Sequence, residues 1–120
     1  MTYAQMKNLL SLLENPADKL EAVMDFGAHM SPVPDGAICH QIAGCSSRVE
    51  ICRMGNKFYG TADSGLVRGI VAILIAMVDG KTPDEIKKMD LLSEFSSLNL
   101  TLGAARINGL NSMISFLQNL

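Results

Sequence analysis

The sequence predicts an α+β domain in which a three-stranded antiparallel sheet packs against several helices. Apolar residues recur at helical spacing towards both ends of the chain, whereas the middle shows the two-residue alternation of strands. The predicted strands cover residues 36–43, 49–54 and 57–61. Polar turn residues at 44–47 and 55–56 separate them, so consecutive strands are expected to pair as a meander.

Two helices are predicted before the sheet. Thr2 and Gln5 have the spacing of a capping box, in which each side chain bonds the other residue's backbone N–H. Asn15 then begins a second helix, and Pro16 suits its first turn, where a missing N–H costs little. The proline-rich segment 31–36 ends that helix before the first strand.

The residues after the sheet are predicted to be helical. Asp63 or Ser64 caps a long helix running to about Val78, which is apolar almost all round and is therefore expected at the centre of the core. Thr82 begins another capping box, and a short helix follows near residues 91–98. A final amphipathic helix is marked by Ile107, Leu110, Ile114 and Leu117.

The composition is that of a folded domain. Apolar residues make up 48% of the 120 positions and charged residues 18%, and no repeat or linker divides the chain, so residues 1–120 are predicted to form one domain. The net charge of −2, without a basic tract, argues against nucleic acid as the main partner. The most apolar stretch, 66–78, is shorter than the ~20 residues that span a bilayer, so no membrane partner is expected.

Three cysteines and an N-terminus without the apolar run of a signal peptide predict a reducing, cytoplasmic setting. In that setting Cys39 and Cys52, on facing strands, are interpreted as small half-buried residues rather than a redox pair. His40 falls on the predicted apolar strand face with Ile38 and Ile42, so it is interpreted as a packed histidine.

The most informative segment is Gly44-Cys45-Ser46-Ser47-Arg48, which places a cysteine on a tight polar turn. A cysteine there is expected to lie close to water and to be available for chemistry. The thiolate is the nucleophilic form, and exposed backbone N–H groups or the nearby Arg48 would favour it. An ordinary free cysteine at a hairpin end explains the same pattern, and the turn alone does not separate the two.

A metal site built from the cysteines is not predicted. The spacings between Cys39, Cys45 and Cys52 do not match the close pairs of structural zinc sites. In the predicted register Cys39 faces Cys52, and Cys45 lies six residues further on, roughly 20 Å at about 3.3 Å per residue. The chain also lacks a glycine-rich phosphate loop and a His-Glu-x-x-His helix.

Three ordered segments resemble a known family, the SufE-type sulfur acceptors of iron–sulfur cluster assembly. Residues 44–49 are similar to its Gly-Cys-x-Ser-x-Val signature. Residues 60–70 resemble the Asp-containing entry to its long apolar helix, and 102–110 its segment around an arginine and a Gly-Leu pair. The resemblance covers about Asn15 to Leu120 and implies an IscU/SufE-like fold.

The resemblance implies a function. Such a protein accepts persulfide sulfur from a pyridoxal-phosphate cysteine desulfurase onto Cys45, stimulates that enzyme and passes sulfur to an iron–sulfur scaffold. It is an accessory carrier rather than a stand-alone enzyme, and it binds no cofactor because the pyridoxal phosphate belongs to the partner. The residues implied in the loop or in partner binding are Gly44, Ser46, Ser47, Arg48, Asp63 and Arg106.

Two alternatives stay open at this point. The first is an IscU-like scaffold that binds a metal or cluster through Cys39, Cys45 and Cys52, which requires those sulfurs to converge. The second is a non-catalytic binding module, for which Cys45 has no role. The chain also departs from the family pattern at Glu50, where a tryptophan is common, and at 103–104, where Gly-Ala replaces Ser-Pro. These departures are expected to affect partner choice and to leave the nucleophile in place.

Overall fold

A computed structural model describes residues 1–120 and confirms the α+β architecture, with one core shared by six helices and a three-stranded sheet. Most predicted boundaries agree to within one or two residues. The elements are α1 (Tyr3–Ser11), α2 (Pro16–Ala28), β1 (Ile38–Gln41), β2 (Val49–Met54), β3 (Lys57–Ala62), α3 (Gly65–Val78), α4 (Pro83–Lys87), α5 (Leu91–Ser96) and α6 (Ala104–Gln118). None of these helices is both long and apolar enough to cross a membrane.

The predicted helix starts are confirmed where a polar side chain satisfies the first N–H groups. The Thr2 hydroxyl accepts from the Gln5 N–H at 3.2 Å and the Gln5 side chain accepts from the Thr2 N–H, which completes the capping box of α1. The Asn15 side chain accepts from the Ala17 N–H at the start of α2. The capping box at Thr82 also forms, at the start of α4.

The sheet has the order β1-β2-β3 with antiparallel pairs, as the meander predicts. On β2, Val49 and Ile51 face the core and are buried. The predicted apolar face of β1 is wrong at two of its three positions, because Ile38 is 67% exposed and His40 is also exposed, while Ile42 is buried. β1 is an edge strand, and of these three residues only Ile42, just after it, is buried. The exposed His40 still contacts α6, because the centroids of the His40 and Phe116 rings are 5.5 Å apart.

The helix α3 lies at the centre of the core, as its apolar surface predicts. Ten of its fourteen residues are buried, and among the other four only Gly65, in the first turn, is exposed. Two helix glycines let α2 approach it closely: a Cβ added at Gly27 would lie 2.6 Å from the Gly69 nitrogen, and a Cβ added at Gly69 would overlap the Val23 carbonyl oxygen. On the opposite side, a Cβ at Gly60 of β3 would lie 2.5 Å from a Val71 methyl carbon.

The remaining helices close the core around α3. The last helix buries Leu110, Ile114 and Leu117 as predicted, whereas Ile107, predicted on the same apolar face, is 44% exposed. That residue lies in the first turn of α6, next to the exposed 103–106 segment, where no other element covers it.

Removing one close helix approach should destabilise the fold. We expect Gly69→Ala to lower the free energy of unfolding by about 1–3 kcal/mol, because the new methyl group would force α2 away from α3. Urea unfolding would show this as a lower midpoint at an unchanged slope. The matched control is Gly65→Ala in the first turn of α3, where an added Cβ meets only the Met24 sulfur at 3.9 Å and the expected change is within about 0.5 kcal/mol. Equal midpoints for the two variants would contradict the close packing.

Candidate functional site at the Cys45 loop

The candidate site begins where the β1–β2 ladder stops. The last rung is the Ile42 N–H donating to the Val49 carbonyl at 2.9 Å, and residues 43–48 form the connecting loop. Gly44 has φ +88°, a left-handed conformation that a residue with a side chain adopts only under strain. The loop conformation that presents Cys45 therefore depends on glycine at position 44.

The loop packs against the face of α6 that carries its smallest side chains. The Cys45 thiol points at the Gly109 carbonyl oxygen, with a sulfur–oxygen distance of 3.7 Å. A Cβ added at Gly109 would lie 3.4 Å from that sulfur, and one added at Gly44 would lie 2.5 Å from the Ser112 hydroxyl oxygen. Because Gly44 and Gly109 have no side chains, the loop can lie directly against α6. We call the contact of Gly44 and Cys45 with Gly109 and Ser112 the thiol seat.

Cys45 is half-buried, contrary to the expectation of a water-exposed thiol, and it packs against the hydrophobic core. Burial raises the pKa of the Cys45 thiol above its ordinary value, because an apolar setting disfavours the charged thiolate. Arg48 does not offset this effect, since its guanidinium pairs with the Glu50 carboxylate at 2.9 Å. Burial is the cause of the pKa shift in this conformation, and the role of Arg48 in favouring the thiolate stays a prediction.

The other residues predicted around the loop differ in position. Ser46 is exposed and Ser47 is half-buried, and neither side chain forms a hydrogen bond. Asp63 lies beside the loop, because its backbone N–H donates to the Arg48 carbonyl at 3.2 Å. Of the two residues predicted to cap the long helix, Ser64 and not Asp63 holds the N-cap position, without a side-chain bond.

Arg106 lies on α6 one turn before the thiol seat. Residues three apart on a helix share a face, so Arg106 lies on the same face as Gly109. The Arg106 side chain is exposed and takes part in no ion pair. Sequence reasoning grouped Arg106 with Cys45 by resemblance, but it missed Gly109 and Ser112. The available signal was a glycine inside a helix, which often marks a close contact.

Almost the whole chain matches one known protein family. The model of the SufE family, described as an Fe-S metabolism associated domain, matches residues 4–120. This chain belongs to the SufE family. The resemblance of residues 44–49, 60–70 and 102–110 is thereby confirmed at the level of the family.

Individual SufE relatives align over most of the chain. The sulfur acceptor protein CsdE of Escherichia coli is 31% identical over 122 residues, covering 94% of this chain and 83% of CsdE. An uncharacterized SufE-like protein of Haemophilus influenzae is 27% identical over 120 residues, covering 92% of this chain and 95% of that protein. The solution structure of a hypothetical protein from Thermus thermophilus superposes with a TM-score of 0.69 at 18% identity. The superposition covers 99% of this chain and 94% of the other, which supports the fold.

The three cysteines of this SufE-family chain do not converge. Cys39 and Cys52 face each other across β1 and β2, as the register predicts, with Cα atoms 4.0 Å apart, and they form a disulfide. Their interpretation as unpaired apolar residues is wrong, because a directly opposed pair brings the two sulfurs within bonding reach. Cys45 is the free cysteine. A scaffold site that uses all three sulfurs does not exist in this arrangement.

Two concave regions differ in their relation to Cys45. A shallow depression borders the loop and is lined by Gln41, Ile42, Ala43, Asn111, Ser112, Ser115 and Phe116. A larger groove of about 670 Å³ lies between α1, α2, β3 and α3, and none of its lining residues belongs to the loop or to α6. Of these two regions, the depression adjoins the Cys45 loop and the groove does not.

Disturbing the seat should expose the thiol. We expect Gly44→Ala to raise the alkylation rate of Cys45 several-fold at fixed pH. The new methyl group would lie 2.5 Å from the Ser112 hydroxyl oxygen, which is held by its hydrogen bond to the Asn108 carbonyl, and would therefore lift the loop from α6. The rate is measured by iodoacetamide labelling and mass spectrometry under non-reducing conditions.

The control is Gly55→Ala, which also places a side chain at positive φ (+62°) but meets nothing within 4 Å. Both variants should lose stability, of order 1–3 kcal/mol, through backbone strain. Only Gly44→Ala should change the alkylation rate. An equal change in both variants would indicate general loosening of the fold rather than a specific seat.

Proposed function

We propose that this protein is a sulfur carrier, which accepts sulfur from the persulfide of a pyridoxal-phosphate cysteine desulfurase onto Cys45. Membership of the SufE family and similarity to a protein named as a sulfur acceptor support this role. The single observation that carries it is that Cys45, alone among the three cysteines, keeps a free thiol. That thiol sits in a loop between two strands rather than within a strand.

The transfer is a thiol exchange at sulfur. The Cys45 thiolate attacks the outer sulfur of the enzyme persulfide, a new sulfur–sulfur bond forms on Cys45, and the enzyme's cysteine leaves as thiolate. No net oxidation occurs, since one sulfur–sulfur bond replaces another. The attacking group must be deprotonated and accessible, and a low-pKa leaving thiol speeds the reaction.

The resting conformation meets neither requirement. The thiol faces the Gly109 carbonyl and its pKa is raised by burial, so at neutral pH it is held as the protonated, weakly reactive form. This protects Cys45 from oxidation, which follows thiolate character and exposure. Docking of the desulfurase would then release the loop from α6 and expose the sulfur where the persulfide is presented.

The docking surface we infer surrounds the loop. Arg106 and Ile107 are exposed on the first turn of α6, and the depression beside residues 41–43 borders the same helix further along. An exposed cation next to an exposed aliphatic side chain is typical of a protein interface, where arginine is enriched. Arg48 and Glu50 form an ion pair at the other edge of the loop and would meet the same partner.

The cofactor of the overall reaction belongs to the desulfurase, so this chain needs none. Its own residues hold and release one thiol. The downstream acceptor we propose is an iron–sulfur scaffold, which would take the outer sulfur by the same exchange. Stimulation of the desulfurase follows from this scheme, because removing sulfur from the enzyme's cysteine frees it for the next turnover.

The direct test is mass spectrometry after incubation with a cysteine desulfurase and cysteine. We expect the peptide containing Cys45 to gain one sulfur atom, because the exchange leaves a persulfide there. Cys45→Ser should gain none and should no longer stimulate the desulfurase. Cys39→Ser is the matched control and should still carry the added sulfur on Cys45. Sulfur found on Cys39 or Cys52 instead would refute the assignment.

Arg106 should contribute to partner binding rather than to folding. For Arg106→Ala we expect the concentration that gives half-maximal stimulation to rise about 5–30-fold, which corresponds to about 1–2 kcal/mol of interface energy. The unfolding midpoint should stay unchanged, because the Arg106 side chain is exposed and makes no ion pair. Lys87→Ala removes an exposed cation from α4 and should leave stimulation at the wild-type level. Equal stimulation by both variants would remove Arg106 from the interface.

A further inference from the structure

A second group of reactive side chains lies on the outer face of the sheet, apart from the Cys45 seat. Cys39 of β1 and Cys52 of β2 are directly opposed. The Ile42–Val49 pair, three rungs along the ladder, is hydrogen-bonded. Because the two kinds of pair alternate in an antiparallel ladder, Cys39 and Cys52 form a non-hydrogen-bonded pair, whose side chains approach most closely. Glu50 precedes Cys52 by two residues and therefore projects from the same face.

These three side chains can supply a metal with ligands. One sulfur each from Cys39 and Cys52 and one carboxylate oxygen of Glu50 lie within 4.8 Å of one another. A tetrahedral zinc ion with bonds of about 2.0–2.3 Å keeps its ligand atoms roughly 3.5 Å apart. Small side-chain rotations bring the three atoms to that spacing once the sulfurs are no longer bonded to each other.

The surroundings suit an ion that enters from solvent. Cys39 is exposed, Glu50 is half-buried and Cys52 is fully buried, so the group is open on one side and closed on the other. The Arg48 guanidinium donates to Glu50 Oε1 at 2.9 Å and holds the carboxylate in place. Carboxylates that bind metals are commonly oriented by such a hydrogen bond. The second oxygen of Glu50 is left for a ligand.

We propose that Cys39, Cys52 and Glu50 form a binding site for a thiophilic divalent cation such as Zn²⁺ when the disulfide is reduced. A dithiol reductant supplies two electrons and two protons, which convert the disulfide to two thiols while the reductant becomes a disulfide. Zn²⁺ then displaces both thiol protons and is held by two thiolates and one carboxylate, with a fourth position open to water. The disulfide and the bound ion exclude each other, because both use the same two sulfurs.

The experiment compares reduced and oxidised protein. After treatment with a dithiol reductant, a thiol assay should count three thiols per chain, and the protein should retain one Zn²⁺ against a chromophoric chelator. The oxidised protein should retain none. In the reduced protein, Zn²⁺ should also slow the alkylation of Cys39 and Cys52 while leaving the rate at Cys45 unchanged, as read by mass spectrometry.

Variants assign the ligands. Cys39→Ser should abolish retention, and Glu50→Gln should weaken affinity by at least about tenfold, which is the lower end of the loss seen when even an outer-shell partner is removed. Cys45→Ser and the distant exposed carboxylate variant Glu21→Gln should bind as the wild type does. Circular dichroism confirms that each variant is folded.

Three results would overturn the site. The first is a reduced wild type with three thiols that retains no zinc. The second is loss of zinc on Cys45→Ser, which would move the ligands to the transfer loop. The third is a pair that the reductant leaves oxidised, because the ligands would then never be available. None of these results bears on sulfur transfer by Cys45, whose persulfide is measured separately.

Discussion

The close packing around α3 is the constraint on which the rest of the structure depends. This helix buries ten of its fourteen residues, and each fully buried aliphatic side chain is worth about 1.5–3 kcal/mol. Such burial requires neighbours on every side. Glycine permits it at the two tightest contacts, Gly69 against α2 and Gly60 against β2 and α3. The sheet and α6 both pack against α3, and the Cys45 loop lies where the sheet meets α6.

The junction reconciles two opposing demands on one thiol. A sulfur carrier needs a nucleophile that a partner can reach, yet a free thiolate in solution oxidises. Here the sulfur rests against Gly109 with a raised pKa. The polar restraint is weak, since the sulfur makes one long hydrogen bond, to the Gly109 carbonyl, and its residue is only half-buried. In the transfer proposed above, docking of the desulfurase supplies the free energy that displaces this loop.

The sequence predicted local structure well, and its errors share one cause. The caps at Thr2, Asn15 and Thr82 were correct because capping depends on residues within one turn. The register that sets Cys39 opposite Cys52 was correct because the turn length determines it. The prediction that Ile38 and Ile107 are buried was wrong. The spacing of apolar residues shows which face of a strand or helix they share, but not whether another element covers that face. The Cys39–Cys52 disulfide was missed because the cysteine count was taken to indicate a setting without disulfides.

The sequence by itself determined the family, the order of the elements and the candidate nucleophile, because each depends on residues that are adjacent or regularly spaced. Only the tertiary structure decided the state of that nucleophile. Whether Cys45 is charged or neutral depends on what lies next to it, and its neighbour is Gly109, which is 64 residues away along the chain. The same holds for the second group of ligands, since Cys39 meets Glu50 and Cys52 only when two strands pair. Contacts between distant segments determine the burial and pairing of side chains, and with them the reactivity of each thiol.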